Sequence, residues 1–145
     1  MPLRISFQQK VSLVASKGLC LIAGVGLALG LAFGATSASA DGAKLFKKCG
    51  ACHTADGGSK KKAGPDLQGI MSRTIGQVEH KYTDGFKAIA AKGMPWDAAL
   101  MDEYLTDPTA FVQKHSGDAG AKSKMLFKVK KAEDRAALIE YLNGL

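Results

Sequence analysis

The sequence predicts an all-α domain on three observations. Apolar side chains recur at helical spacing in five separate segments, and no segment alternates apolar and polar residues as a half-buried strand would. About 105 residues remain once an N-terminal leader is set aside, enough for one modest core. The first helix follows Asp41, where Gly42, Phe46 and Cys49 fall at i, i+4 and i+7 and so turn a cysteine inward. A loop follows from Ala55 to Asp66, rich in glycine and carrying Lys60, Lys61 and Lys62 in a row. Asp84 is placed to cap a second helix, with Phe86, Ile89 and Ala90 on one side and an end near Gly93. Asp97 is placed to cap a third, with Leu100, Met101, Tyr104 and Leu105 inward. Asp107 and Pro108 form a cap and first-turn pair and open a fourth helix that buries Phe111 and Val112. After a turn over Gly117 to Ala121, Leu138, Tyr141, Leu142 and Leu145 repeat at i, i+3, i+4 and i+7. Glu133 and Asp134 precede them in the first turn, which completes the strongest helix pattern in the chain.

The chain has 145 residues, 46% hydrophobic and 23% charged, which excludes a disordered chain, a collagen-like chain and a multidomain enzyme. Residues 1–40 read as a secretory leader. Arg4, Lys10 and Lys17 supply a basic start, an uncharged stretch runs from Gly18 to Ala40, and the small residues Ala38, Ser39 and Ala40 precede Asp41. Cleavage is expected after Ala40; it removes Cys20 and leaves residues 41–145 as one domain in the periplasm. A retained transmembrane anchor is the alternative, because the apolar run from Leu19 to Ala35 is near the lower limit for a bilayer span. Its glycines at 24, 26, 30 and 34 favour cleavage, with no stable membrane insertion afterwards. The leader takes three of the seven formal positive charges, so the domain itself carries +4.

Cys49-Gly50-Ala51-Cys52-His53 has the spacing of covalent haem attachment. Two thiols separated by two residues reach the two vinyl groups along one side of a porphyrin, and the next residue then lies under the iron with an imidazole nitrogen as ligand. A dithiol redox pair would need a strand before it and a helix after it. Half of a zinc site would need a second cysteine or histidine pair. Neither context is present in the sequence.

For the other face of the iron, thioether sulfur and imidazole are the usual ligands, so Met71, Met94, Met101, Met125, His80 and His115 are the candidates. Met101 lies on a regular apolar helix face, and Met71 follows His53 too closely. Met125 sits in the polar stretch before the last helix, where a chain could cross the opposite haem face. His115 and then Met94 stay open behind it.

A series of motifs in order carries a family resemblance: Cys-Gly-Ala-Cys-His at 49–53, Gly-Pro-Asp-Leu-Gln-Gly at 64–69, Tyr-Thr-Asp at 82–84, Trp96, Glu-Tyr-Leu at 103–105 with Pro108, Lys-Met-Leu-Phe at 124–127, and Arg-Ala-Ala-Leu-Ile-Glu-Tyr-Leu at 135–142. Over essentially all of residues 41–145 the chain resembles the small class I cytochromes c, nearest to the bacterial cytochrome c2 group. The resemblance implies a class I cytochrome c fold, short helices wrapped around one covalently attached haem c. It implies His53 and Met125 as axial ligands, with Pro65 offering its carbonyl to the His53 imidazole and Tyr104 hydrogen-bonding the Met125 sulfur. It also implies that Arg73, Tyr82 and Trp96 hold the buried haem propionate. Gly42, Phe46, Leu138 and Tyr141 match the crossing of the first and last helices.

The chain departs from the family pattern in four places. The loop between Gly76 and Tyr82 is about one residue shorter than the common mitochondrial form, and the segment from Phe111 to Met125 is longer. Phe86 stands near a position that often holds a polar side chain beside an internal water, and Asp66 stands where asparagine is common.

A haem with both axial positions filled has no open site for oxygen, peroxide or substrate, so the implied function is single-electron carriage rather than catalysis. The expected partners are membrane electron-transfer complexes with acidic docking surfaces: a quinol:cytochrome c oxidoreductase on one side, a terminal oxidase or photosynthetic reaction centre on the other. Lys47, Lys48, Lys60, Lys61, Lys62, Lys122, Lys124, Lys128, Lys130 and Lys131 flank the segments expected around the haem edge and suit such steering. A monomer is expected, and nucleic acid is not a partner, since no face interleaves aromatic and basic residues. The alternative is a haem enzyme or gas-binding sensor with an opened sixth position, against which Met125 argues.

Overall fold

The computed structural model describes residues 37–58 and 60–145, with side chains from Asp41 onward. All but the last four residues of the expected leader, including Cys20 and the apolar run, lie outside the described residues. Five α-helices follow in order: α1 (Ser37–Cys49), α2 (Asp84–Ala90), α3 (Ala98–Thr106), α4 (Pro108–Ser116) and α5 (Ala132–Asn143). Among the described residues there is no strand, and one isolated antiparallel bridge joins Thr74 to Pro95. Among them, too, no helix is long and apolar enough to cross a membrane.

Side-chain caps set the helix starts. Asp97 accepts the Leu100 N–H at 2.7 Å, and Asp107 accepts those of Thr109 and Ala110 at 3.1 Å while Pro108 fills the first helical position. At α2 the cap is Thr83 rather than the expected Asp84. Thr83 holds the extended backbone that a cap requires and accepts the Phe86 N–H at 3.3 Å; Asp84, one position inside, pairs with Lys87 at 2.9 Å. One turn of 3-10 helix at Ile70–Ser72 is too short to leave a periodic signal in the sequence. At the other end, Leu145 lies beyond α5, and Ile139 joins Leu138 and Leu142 on its buried face.

The most extensive helix contact is between α1 and α5, and α3 packs on both α4 and α5. Gly42 makes the crossing possible: a Cβ there would lie 2.8 Å from the Tyr141 Cβ and closer still to the Ala137 backbone, so only glycine fits. The Phe46 and Tyr141 rings meet beside it with centroids 5.0 Å apart. Ile89, Phe111 and Val112 have no exposed surface and form the centre of the core, each contributing about 1.5–3 kcal/mol by burial. Arg135 ties the chain before α5 to α3, donating to Asp102 at 2.7 Å and to the Val129 and Lys130 carbonyls at 3.1 and 3.0 Å. Val129 N–H in turn donates to the Leu105 carbonyl at 2.8 Å, so the segment that carries Met125 is anchored at its far end.

Candidate functional site

Where α1 ends, the chain tightens into a turn. The Gly50 N–H bonds the Phe46 carbonyl at 3.0 Å, and the N–H groups of Cys52 and His53 converge on the Cys49 carbonyl at 3.0 and 2.9 Å. This turn brings Cys49, Cys52 and His53 to the wall of one cavity of about 440 Å³, within the usual range for a cofactor site. The two cysteines form no disulfide. Burial pushes the Cys49 thiol above its ordinary value, against its backbone hydrogen bond and the Lys48 charge.

His53 Nδ1–H donates to the Pro65 carbonyl at 2.8 Å, as the resemblance implied. With that proton on Nδ1, Nε2 carries the lone pair that can face a metal. Gly64 lies against the imidazole so closely that a Cβ would meet its Cε1 at 2.3 Å, and any side chain there would displace the ring. Asp66, next in the loop, is buried. It accepts the Thr54 hydroxyl at 2.6 Å and the N–H groups of Gln68 and Asp56 at 3.0 and 3.2 Å. Burial raises its carboxyl, but these hydrogen bonds, with one from the Gly58 backbone, hold it below the usual carboxylate value. Arg73 donates to the Asp66 carbonyl at 3.0 Å and lines the same wall.

Tyr82 and Trp96 also reach the wall. Tyr82 stacks on Phe86 with centroids 4.8 Å apart and planes 9° from parallel. Burial raises the Tyr82 phenol, and the Arg73 charge opposes the rise. The Trp96 backbone N–H donates to the Arg73 carbonyl at 2.9 Å, and its ring packs on Tyr104 and Phe111 with centroids 5.4 and 5.7 Å away.

Met125 is on the wall. Its N–H donates to the Ser123 hydroxyl at 3.1 Å. Burial raises the Tyr104 phenol, and Ser123 opposes the rise. Nothing in the sequence marks Ser123, because a lone serine two residues before a methionine has neither periodicity nor metal-binding chemistry. Of the other candidate ligands, Met101 and His80 share the wall, while Met71, Met94 and His115 do not. His115 is engaged elsewhere, with Nε2 3.1 Å from Glu103 and its ring 4.3 Å from that of Phe111.

The cytochrome c family model matches residues 39–145. The chain belongs to the cytochrome c family. A cytochrome c-550 of Novispirillum itersonii is 49% identical over 108 residues, covering 74% of this chain and 97% of that protein. A cytochrome c2 of Rhodospirillum rubrum is 42% identical over 129 residues, covering 86% and 96%. The crystal structure of a cytochrome c2 from Rhodobacter sphaeroides matches with a TM-score of 0.67 at 38% identity, over 74% of this chain and 94% of that one. The fold is the class I cytochrome c fold, the group is one covalently attached haem c, and the protein is a mono-haem electron carrier. The cytochrome's own cavity fits that group, with two thiols on one turn, an imidazole of fixed tautomer, and apolar walls that include Ile70, Leu105 and Leu138.

Lys48, Lys81 and Lys124 stand at the cavity wall together with Leu126 and Phe127, which are 78% and 46% exposed. Lys81 was absent from the set expected from sequence, because it lies beside the tyrosine motif rather than in a lysine run. An adjoining hollow of about 200 Å³ is bordered by Phe127, Lys48, Lys128, Lys130 and Lys131. Three of the expected docking lysines have other engagements, the first being Lys124, which donates to the Lys81 carbonyl at 2.5 Å. Lys128 pairs with Asp107 at 2.5 Å, and Lys62 donates to the Gly50 carbonyl and, at 3.1 Å, to that of His53.

Proposed function

We propose that this cytochrome carries single electrons in the periplasm between membrane complexes, from a quinol:cytochrome c oxidoreductase to a terminal oxidase or photosynthetic reaction centre, with His53 and Met125 as axial ligands. The observation that carries the reading is the convergence of Cys49, Cys52, His53 and Met125 on one cavity. When bound, the haem supplies an iron that exchanges one electron between its ferric and ferrous states. His53 and Met125 would both bind the iron and so would keep oxygen, peroxide and substrates off it. A neutral thioether as one of the two ligands favours the reduced state. Pro65 holds the proton on His53 Nδ1 and raises the basicity of the coordinating nitrogen. Ser123 positions the Met125 backbone, Tyr104 would hydrogen-bond the Met125 sulfur, and Arg73, Tyr82 and Trp96 would supply donors for the buried propionate. In this reading the leader is cut after Ala40, in the first turn of α1, and Asp41 then places an acidic side chain at the positive end of the helix dipole.

Lysines and exposed apolar side chains at the same wall support an acidic docking site with an apolar centre on the partner. Intact mass and visible spectra of the exported protein test the reading. The mass expected is that of residues 41–145 plus one haem, and the ferric spectrum should carry a sulfur-to-iron band near the red end. A mass that retains residues 1–40 overturns the processing, and carbon monoxide binding by the ferrous wild type would favour the gas-binding alternative.

A further inference from the structure

Asp66 is the one carboxylate among the described residues of the cavity wall, whose other charged side chains, Lys48, Arg73, Lys81 and Lys124, are cationic. Its side chain is only 8% exposed. The hydrogen bonds that hold it come from the Thr54 hydroxyl and the Gln68, Asp56 and Gly58 backbone, neutral donors that stabilise a negative charge without cancelling it. Arg73 lies nearby, but its closest approach to the carboxylate is 3.8 Å, beyond hydrogen-bond length, and its short bond goes to the Asp66 carbonyl. The carboxylate also follows Pro65 directly, the residue that receives the His53 proton, so the charge is built into the loop on the proximal side.

We propose that Asp66 is a positioning residue for electron transfer whose buried negative charge lowers the reduction potential of this cytochrome. The inference rests on the haem and His53 reading above. Ferric iron carries one more positive charge than ferrous iron, so a fixed anion beside the cavity stabilises the oxidised state. Burial keeps solvent and salt from screening that attraction. An asparagine at this place has the same shape, can still accept the Thr54 hydroxyl, and carries no charge.

The test uses the mature haem-loaded protein, titrated spectroelectrochemically at neutral pH in low and in moderate salt. Asp66→Asn is expected to raise the potential, so that the reduced-to-oxidised ratio at a fixed poise increases roughly three- to tenfold at either salt concentration. Thr54→Val, which removes the shortest hydrogen bond but keeps the charge, is expected to lower the denaturation midpoint without raising the potential. An unchanged or lower potential in Asp66→Asn, or an equal rise in Thr54→Val, overturns the proposal. Should the asparagine variant fail to retain haem, Asp66→Ser gives the same reading with less bulk, and failure of both would leave Asp66 a purely structural role and overturn it as well. The wild-type sulfur-to-iron band reports axial ligation independently, so a failure of the ligand assignment is distinguishable from a failure of this one.

Discussion

Gly42 of α1 faces Ala137 of α5 so closely that a Cβ on the glycine would stand 2.3 Å from the Ala137 carbonyl oxygen. Backbone cannot retreat as the tip of a flexible side chain can, so even one methyl must force the two helices apart. Gly42→Ala is therefore expected to cost about 1–3 kcal/mol, and Gly42→Val more. Urea unfolding of the haem-loaded variants measures the loss, and a wild-type midpoint for the valine variant would refute the account of the crossing.

Met125→Ala is expected to leave the haem attached through Cys49 and Cys52 while opening the sixth position. The potential should fall, the sulfur-to-iron band should vanish, and the ferrous protein should bind carbon monoxide. A wild-type spectrum would move attention to Met101 and His80, which share the cavity wall.

Docking should depend on the lysines that are both at the wall and unpaired with acids. Reversing Lys81 and Lys124 to glutamate is expected to slow association with an acidic partner far more than reversing Lys87, which pairs with Asp84 and lies away from the wall. Salt screens such attraction over about 10 Å at 0.1 M, so the difference should shrink as ionic strength rises. Second-order rates measured across a salt series decide it, and equal effects from both replacements would remove electrostatic steering.

Acid should loosen the α3–α4 contact through Glu103. Burial raises this carboxyl, but Lys114 at 2.9 Å and His115 at 3.1 Å outweigh burial and hold it below its ordinary value. A group depressed in the folded state stabilises fully above its unfolded value, about 4.3 for glutamate, and loses that contribution as pH falls through the lowered folded value. The stability difference between wild type and Glu103→Gln is therefore expected to be full at neutral pH and to shrink below about pH 4. Urea midpoints at several pH values check this, and a difference that persists undiminished at pH 3 would contradict it.

How far the sequence could be read depended on whether a feature leaves a local pattern. The acids at 97 and 107 cap helices where expected, because a short acceptor ahead of an apolar period is a local signal. Thr83 was missed because threonine and aspartate stand side by side, and either can accept the same N–H until the backbone angles choose. The Cys49–His53 motif is legible because its chemistry fixes its spacing. The Asp66 cluster is not, since Thr54, Asp66 and Arg73 meet only when a loop folds back, and no residue type or interval announces that. Ser123 and Lys81 belong with it: each matters for where it ends up, not for what precedes or follows it.

The pairing of α1 with α5 also bears on when this protein can mature. More than eighty residues separate the two helices, and each is too short to persist in water without its partner. The cavity draws its wall from Cys49 at one end of that span and from Leu138 and Leu142 at the other. A nascent polypeptide that has emerged only as far as α4 therefore lacks the Leu138 and Leu142 side of the cavity. Arrival of the last helix supplies that side. Because closure over so long a sequence separation is slow, the cavity is among the last features of the fold to be completed.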